Sequence, residues 1–147
     1  MDLESRYLEL PINFERLCSG NRLDELSYDY SIAQNIYTIL ITESGELTFD
    51  PDYGTKIWEY DFTISSFTSE WKDQVTKTIE ESVERYVSQM ENIRVDVVVL
   101  DEQFSDSIKK SQRVKKKLVV TVKGELCTTK QERIFTQSLY LSPITVE

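Results

Sequence analysis

Between Ser69 and Met90, apolar residues recur at steps of four and three: Trp71, Val75, Ile79, Val83, Tyr86, Val87 and Met90. That spacing is the helical period and predicts one long amphipathic helix, with Glu80, Glu81, Glu84 and Arg85 off its stripe. Glu70 and Asp73 fall in its first turn, where the helix dipole favours anions. Beyond this helix the period drops to two. Val95, Val97 and Val99 alternate with Asp96, Val98 and Leu100; Leu118, Val120 and Val122 alternate with Val119, Thr121 and Lys123. Phe135, Gln137, Leu139 and Leu141 alternate with Ile134, Thr136, Ser138 and Tyr140. Three strand signals in succession predict an antiparallel meander. Its first connection is the polar, basic loop Ser105 to Arg113, and its second is the short turn Cys127 to Lys130.

The first half reads differently. Residues 1–26 hold no sustained period and predict an extended arm that packs on the domain or on a neighbour. Ser31 with Gln34 three positions later matches a capping box, and Ile32, Ile36, Ile39 and Leu40 then mark one helical face. Gly45 suits a left-handed cap just past that helix, and a short strand from Glu46 to Phe49 should follow. Asp50-Pro51-Asp52 turns the chain, Gly54 permits a backbone angle that other residues resist, and residues 55–61 suit a helical turn or two. Helices followed by strands make the fold α+β. The expected organisation is an arm over 1–26 and a single domain over 27–147, with helices packed on a three-stranded C-terminal meander.

Composition narrows the function. The chain has 147 residues, a net charge of −9 and no histidine. Histidine-based catalysis and histidine-ligated metal sites are excluded, and the acidity argues against nucleic acid as a partner. Cys18 and Cys127 form no CxxC pair, so a cysteine zinc site lacks ligands; they are expected to be reduced. The start, MDLESRYLEL, has an acidic beginning and no apolar core, which is unlike a secretory signal; the expected compartment is the cytosol. Charge is segregated. Residues 1–61 carry 13 acids and 4 bases, whereas residues 108–133 carry 9 bases and 2 acids. That basic segment reads either as a solvated loop or as a docking patch for an acidic partner.

Carboxylates are then the available acid–base groups. Glu43, Glu46, Asp50 and Asp52 cluster near the turn, and two such groups flanking a sugar would suit glycoside hydrolysis if burial raised one pKa. A turn is a solvated place, where they stay ionised. No phosphate-binding glycine loop or nucleophile elbow occurs. Tyr28, Tyr30, Tyr37, Tyr53, Trp58, Tyr60, Phe62 and Phe67 crowd the first half, a composition that serves a core and also protein interfaces.

The stretch from Asn35 to Phe62 resembles the baseplate-wedge family of contractile injection machines, which includes the small phage-tail wedge protein and TssE of type VI secretion systems. The matching positions are Leu40 and Thr42, Gly45-Glu46, Pro51, Tyr53-Gly54, and Ile57 through Phe62. A long helix and a meander follow, so the resemblance spans roughly residues 30 to 142. Leu47 departs from the family's usual arginine. Glu91-Asn92-Ile93-Arg94 stands in place of its Glu-Pro-Arg, with Arg94 on the family's arginine.

The resemblance implies a non-enzymatic structural part with no cofactor. Its implied partners are TssF- and TssG-like wedge proteins and sheath subunits, with no nucleic acid, small-molecule substrate or membrane insertion. It also implies a fold similar to the sheath-core domain, with a β edge that nucleates the sheath by strand exchange. The competing class is a lysozyme-like peptidoglycan hydrolase using paired carboxylates, a label part of the family has carried. The candidate interaction residues are Gly54, Trp58 and Phe62 in an architectural corner, Arg94 in a buried or interfacial ion pair, and Lys115, Lys116 and Lys117 at a basic sheet edge.

Overall fold

A computed structural model describes residues 7–59, 67–106 and 111–141. The chain begins with a two-residue ladder between β1 (Tyr7–Leu8) and β2 (Glu25–Leu26), which flank the short helix α1 (Phe14–Cys18). Two longer helices follow, α2 (Tyr28–Ile41) and α3 (Ser69–Tyr86), then the strands β3 (Met90–Asp106), β4 (Ser111–Leu126) and β5 (Glu132–Leu141). The sheet order is β3-β4-β5, antiparallel throughout. This is the expected α+β fold with a three-stranded meander.

The core lies between the helices and one face of the sheet. In register across the three strands, Val95, Val122 and Phe135 form one inward row, Val97, Val120 and Gln137 the next, and Val99, Leu118 and Leu139 a third. Against them α3 sets Trp71, Val75, Ile79 and Val83, and α2 sets Ile32, Ile36, Ile39 and Leu40, all buried. The helical and strand periods therefore meet on one apolar surface, the largest favourable term in the fold. The opposite sheet face keeps Val98, Leu100, Ile134 and Tyr140 exposed.

Several local expectations are corrected. The arm is not simply extended, since residues 7–26 fold into the β1–α1–β2 unit. Helix α2 starts three residues before the expected capping box, with Ser27 as N-cap. Ser31 instead donates to the Tyr28 carbonyl, and Gln34 ties down the arm: Leu10 N–H donates to its Oε1 at 2.8 Å, and its Nε2 donates to Leu8 O at 3.1 Å. A long-range pair of backbone bonds has outcompeted a local cap.

The strand expected over Glu46 to Phe49 is absent. Its backbone closes turns, with Glu46 N–H to Glu43 O, Asp50 N–H to Leu47 O and Gly45 N–H to Pro51 O, and Phe49 is left 84% exposed. Four residues with no ladder partner among the described residues have nothing to hold them extended, although Leu47 and Phe49 alternate with polar neighbours. Gly45 has φ of 90°, but it serves this turn and not the helix, which Thr42 caps. Residues 57–59 form the expected helical turn, as 3₁₀ helix.

Helix α3 ends at Tyr86 and not at Met90, because Met90 is drawn into the sheet opposite Leu126. Its start is capped by Thr68, whose side chain accepts from Trp71 N–H. The expected loop from Ser105 to Arg113 is shorter: β3 and β4 pair out to Asp106 opposite Ser111, and residues 107–110 lie outside the described residues.

Candidate functional site

The corner from Pro51 to Glu59 is built where the end of α2 meets α3. Gly54 has φ of +106°, and a Cβ there would stand 2.5 Å from the Thr42 carbonyl oxygen. Only glycine meets both demands, the angle and the close backbone approach. Thr55 N–H donates to that same Thr42 oxygen at 2.9 Å, and Ser44 N–H returns a bond to Thr55 O at 3.0 Å. The Gly54 carbonyl accepts from the buried hydroxyl of Ser82 on α3 at 2.5 Å. Ser82 was not singled out from sequence. The available signal was a serine on the apolar stripe, three positions after Ile79.

Trp58 packs on the core half-buried, and its Nε1–H donates to Leu40 O at 2.9 Å, filling one of the open acceptors at the end of α2. Phe62, the other anchor expected in this corner, lies outside the described residues. Trp58→Phe is expected to keep the ring packing and lose the bond. The predicted loss is about 1 kcal/mol, read from denaturant unfolding; an unchanged midpoint would contradict the anchoring role.

Three of the four candidate carboxylates, Glu46, Asp50 and Asp52, serve this corner as structure, and Glu43 contributes its backbone N–H. Glu46 accepts from Glu43 N–H at 3.0 Å. Asp50 accepts from the Tyr86 hydroxyl at 2.9 Å, and Asp52 pairs with Arg85 at 3.0 Å. Tyr86 also stacks edge-on against Tyr53, with centroids 4.8 Å apart. Desolvation pushes the Tyr86 phenol above its ordinary pKa and the bond to Asp50 adds to this, so the hydroxyl stays a donor to that carboxylate.

Arg94 stands at the start of the sheet, just past a bulge. Asn92 has φ of 53°, and Asn92 and Ile93 together oppose Gly124, where a Cβ would meet Met90 and the Glu91 carbonyl. The extra residue turns the Arg94 side chain out of the core, and it is exposed. The expectation of a buried ion pair is therefore corrected. Among the described residues Arg94 has no ion pair, and it stands directly opposite Lys123, a like-charge pairing that a strand ladder disfavours. The two nearby acids are engaged elsewhere, Glu91 with Lys130 and Asp96 with Lys72. Arg94 lines an open groove with Glu84, Glu125 and Glu132.

Lys115, Lys116 and Lys117 occupy β4, the middle strand, and not a sheet edge. Lys116 pairs with Asp101 at 2.7 Å and Lys117 with Glu102 at 3.8 Å, and Lys117 also lies 5.6 Å from the Tyr140 ring on β5. The edges are β3 and β5. Strand β3 carries the bulge and is studded with Arg94, Asp96, Asp101 and Glu102. From Ile134 to Leu141, β5 has no charge, no proline and no bulge. Within that run the strand itself supplies none of the charge, proline or bulge guards against pairing with another chain.

A profile of the family described as Baseplate wedge protein gp25 matches residues 26–131. The chain belongs to that family. Its role is that of a structural part of a phage-tail-like baseplate, associated with other baseplate proteins. The matched span takes in α2, the corner, α3, β3, β4 and the β4–β5 turn. A crystal structure of a Geobacter sulfurreducens protein, provisionally named a tail lysozyme, shares the fold with a TM-score of 0.54 at 16% identity, over 82% of this chain and 97% of that one. No curated protein sequence matches the chain. Among the described residues, no helix of this wedge-family protein is long and apolar enough to cross a membrane, and no three acidic or cysteine side chains converge as a metal site.

Proposed function

We propose that this chain is a TssE-like, non-enzymatic component of a contractile injection machine. It joins the wedge with TssF- and TssG-like proteins in the cytoplasm and nucleates the sheath through a β edge. The observation that carries this reading is the unguarded edge of β5 on a wedge-family fold. An incoming sheath strand gains a row of main-chain bonds there, the physics of β-augmentation. Lys116 opposite Leu141 and Lys117 beside Tyr140 lie one strand behind that edge, already paired with Asp101 and Glu102, so main-chain bonds and not charge supply the attraction.

In this reading Arg94 is the wedge contact. Its guanidinium remains charged when desolvated and offers a bidentate fork to a partner carboxylate, which would also relieve the repulsion from Lys123. Co-purification of the wedge tests this. Arg94→Ala is expected to release the chain from its wedge partners while leaving its melting curve within about 0.5 kcal/mol of wild type, as for other exposed sites; a complete wedge from the variant would contradict the assignment.

Enzymatic use of Glu46, Asp50 and Asp52 conflicts with their existing bonds, because a general acid needs a free proton path to its substrate. Purified protein is expected to leave peptidoglycan intact. Turnover that disappears in Glu46→Gln would reverse that conclusion.

A further inference from the structure

Helix α2 has a second apolar face that no other element among the described residues covers. On the side away from the core, Tyr30, Ala33, Tyr37 and Ile41 follow at steps of three and four. Tyr30 is 71% exposed, Tyr37 43% and Ile41 45%. The arm adds a wall: Gln34 holds the backbone of Leu8 and Leu10 against α2, and the Leu10 side chain is half exposed. Between arm, helix and β5 lies an open groove of about 370 Å³, lined by Glu9, Leu10, Tyr30, Ala33, Tyr37 and Gln137. Ala33 is its low point, one turn from a tyrosine on either side, the shape of a hole that accepts a knob.

Glu9 is the charged residue that lines this groove, and the segment that carries α2 is acidic. From Leu23 to Thr55 the chain has seven acids and no lysine or arginine. The last turn of α2 has no basic residue, although a helix C-terminus favours cations, and Glu43 follows two residues after Ile41. At the opposite end Asp29 already has Arg133 at 3.4 Å.

We propose that this groove takes a basic amphipathic helix of a partner protein. Its apolar residues would seat over Ala33 between Tyr30 and Tyr37, and its arginines or lysines would face Glu9 and the Glu43 end of α2. A helix fits because the stripe repeats at the spacing of a helix–helix seam, and α2 has no open backbone edge for a strand. A second copy of this chain would set Glu9 and the Glu43 end of α2 against the same acids, an unfavourable juxtaposition. This surface is separate from Arg94 and borders β5 through Gln137; its test uses an isolated peptide and needs neither the wedge nor a sheath.

The probe is a fluorescein-labelled helical peptide of about 20 residues, long enough to span the 14 residues of α2. It carries leucine at a and d and arginine at e and g. A matched peptide has glutamate at e and g. Fluorescence anisotropy should show saturable binding of the arginine peptide and binding at least about tenfold weaker for the glutamate peptide. Two variants, Ala33→Gln to fill the hole and Tyr30→Ala with Tyr37→Ala to remove its walls, should each weaken the arginine peptide by about tenfold or more. Circular dichroism melts check that both fold, and Arg94→Ala should bind as wild type. Failure of the arginine peptide to bind overturns the proposal. So does equal binding of the glutamate peptide, binding undiminished in both groove variants, or sedimentation showing that the chain alone dimerises until Tyr30 and Tyr37 are removed.

Discussion

Gly54→Val is expected to destabilise the fold by about 3 kcal/mol or more, which for a chain of this size is a fall in melting temperature of roughly 6–12 °C. Two effects add. The +106° φ is a region that a β-branched residue hardly enters, and the new Cβ would meet the Thr42 carbonyl oxygen at 2.5 Å and its carbon at 2.9 Å. Neither neighbour is a side chain that can rotate away; both belong to the backbone that ends α2. Relief would require the corner to lift, breaking the bonds from Thr55 to Thr42 and from Ser82 to Gly54. Gly45→Ala supplies the contrast. Gly45 also has positive φ, but a Cβ there meets nothing within 4 Å, so only the conformational term remains, about 1 kcal/mol. Thermal melts of the two variants separate strain from collision. Equal, small shifts for both would mean that the corner is not held between α2 and α3 as described.

The second large effect concerns assembly and not stability. Thr136→Lys combined with Ser138→Lys places two charges on β5, on the exposed sheet face where both side chains already meet water. Lysine on an edge strand is a natural guard against strand addition. Exposed substitutions of this kind change stability by about 0.5 kcal/mol or less. Baseplates carrying the double variant are therefore expected to contain the protein in normal amount yet nucleate sheaths roughly tenfold less often, equivalent to about 1.4 kcal/mol of docking free energy. Val98→Lys on β3 puts a charge on the same face at the other edge and should leave nucleation unchanged. Electron microscopy counts of sheathed and bare baseplates decide between the edges. Normal counts for the β5 variant, or a loss with Val98→Lys, would move the docking strand elsewhere.

Much of this architecture is legible in the chain itself, for reasons that differ by element. Helix α3 and the strands β3 to β5 carry strong single periods, and each is amphipathic against the same core, so local pattern and tertiary packing agree. The corner was readable from Pro51 and Gly54, because a chain reversal demands residues of that kind.

For the cap and for Arg94 the differences come from competition by partners distant in sequence. Ser31 and Gln34 have the spacing of a capping box, but two backbone groups of the arm claim Gln34 from 24 and 26 residues away. The residues from Glu46 to Phe49 alternate as a strand would, but no other strand lies beside them. For Arg94 the sequence offers Glu91 and Asp96 nearby and, equally, an acid of a partner; Lys130 and Lys72 hold the two nearby acids, and the bulge at Asn92 faces Arg94 outward. The lysine cluster was placed at an edge although a three-stranded meander puts its second segment in the middle. Connectivity alone was enough to locate Lys115 to Lys117 on β4, and it transfers the search for a docking edge to the uncharged run of β5.

Electron cryomicroscopy of the baseplate joined to its first sheath ring tests the central claim most directly. A fourth strand, contributed by a sheath subunit, is expected hydrogen-bonded along the outer edge of β5 between Ile134 and Leu141, with Arg94 against an acid of a wedge partner. A sheath ring that contacts the baseplate while the edge of β5 stays bare would contradict it.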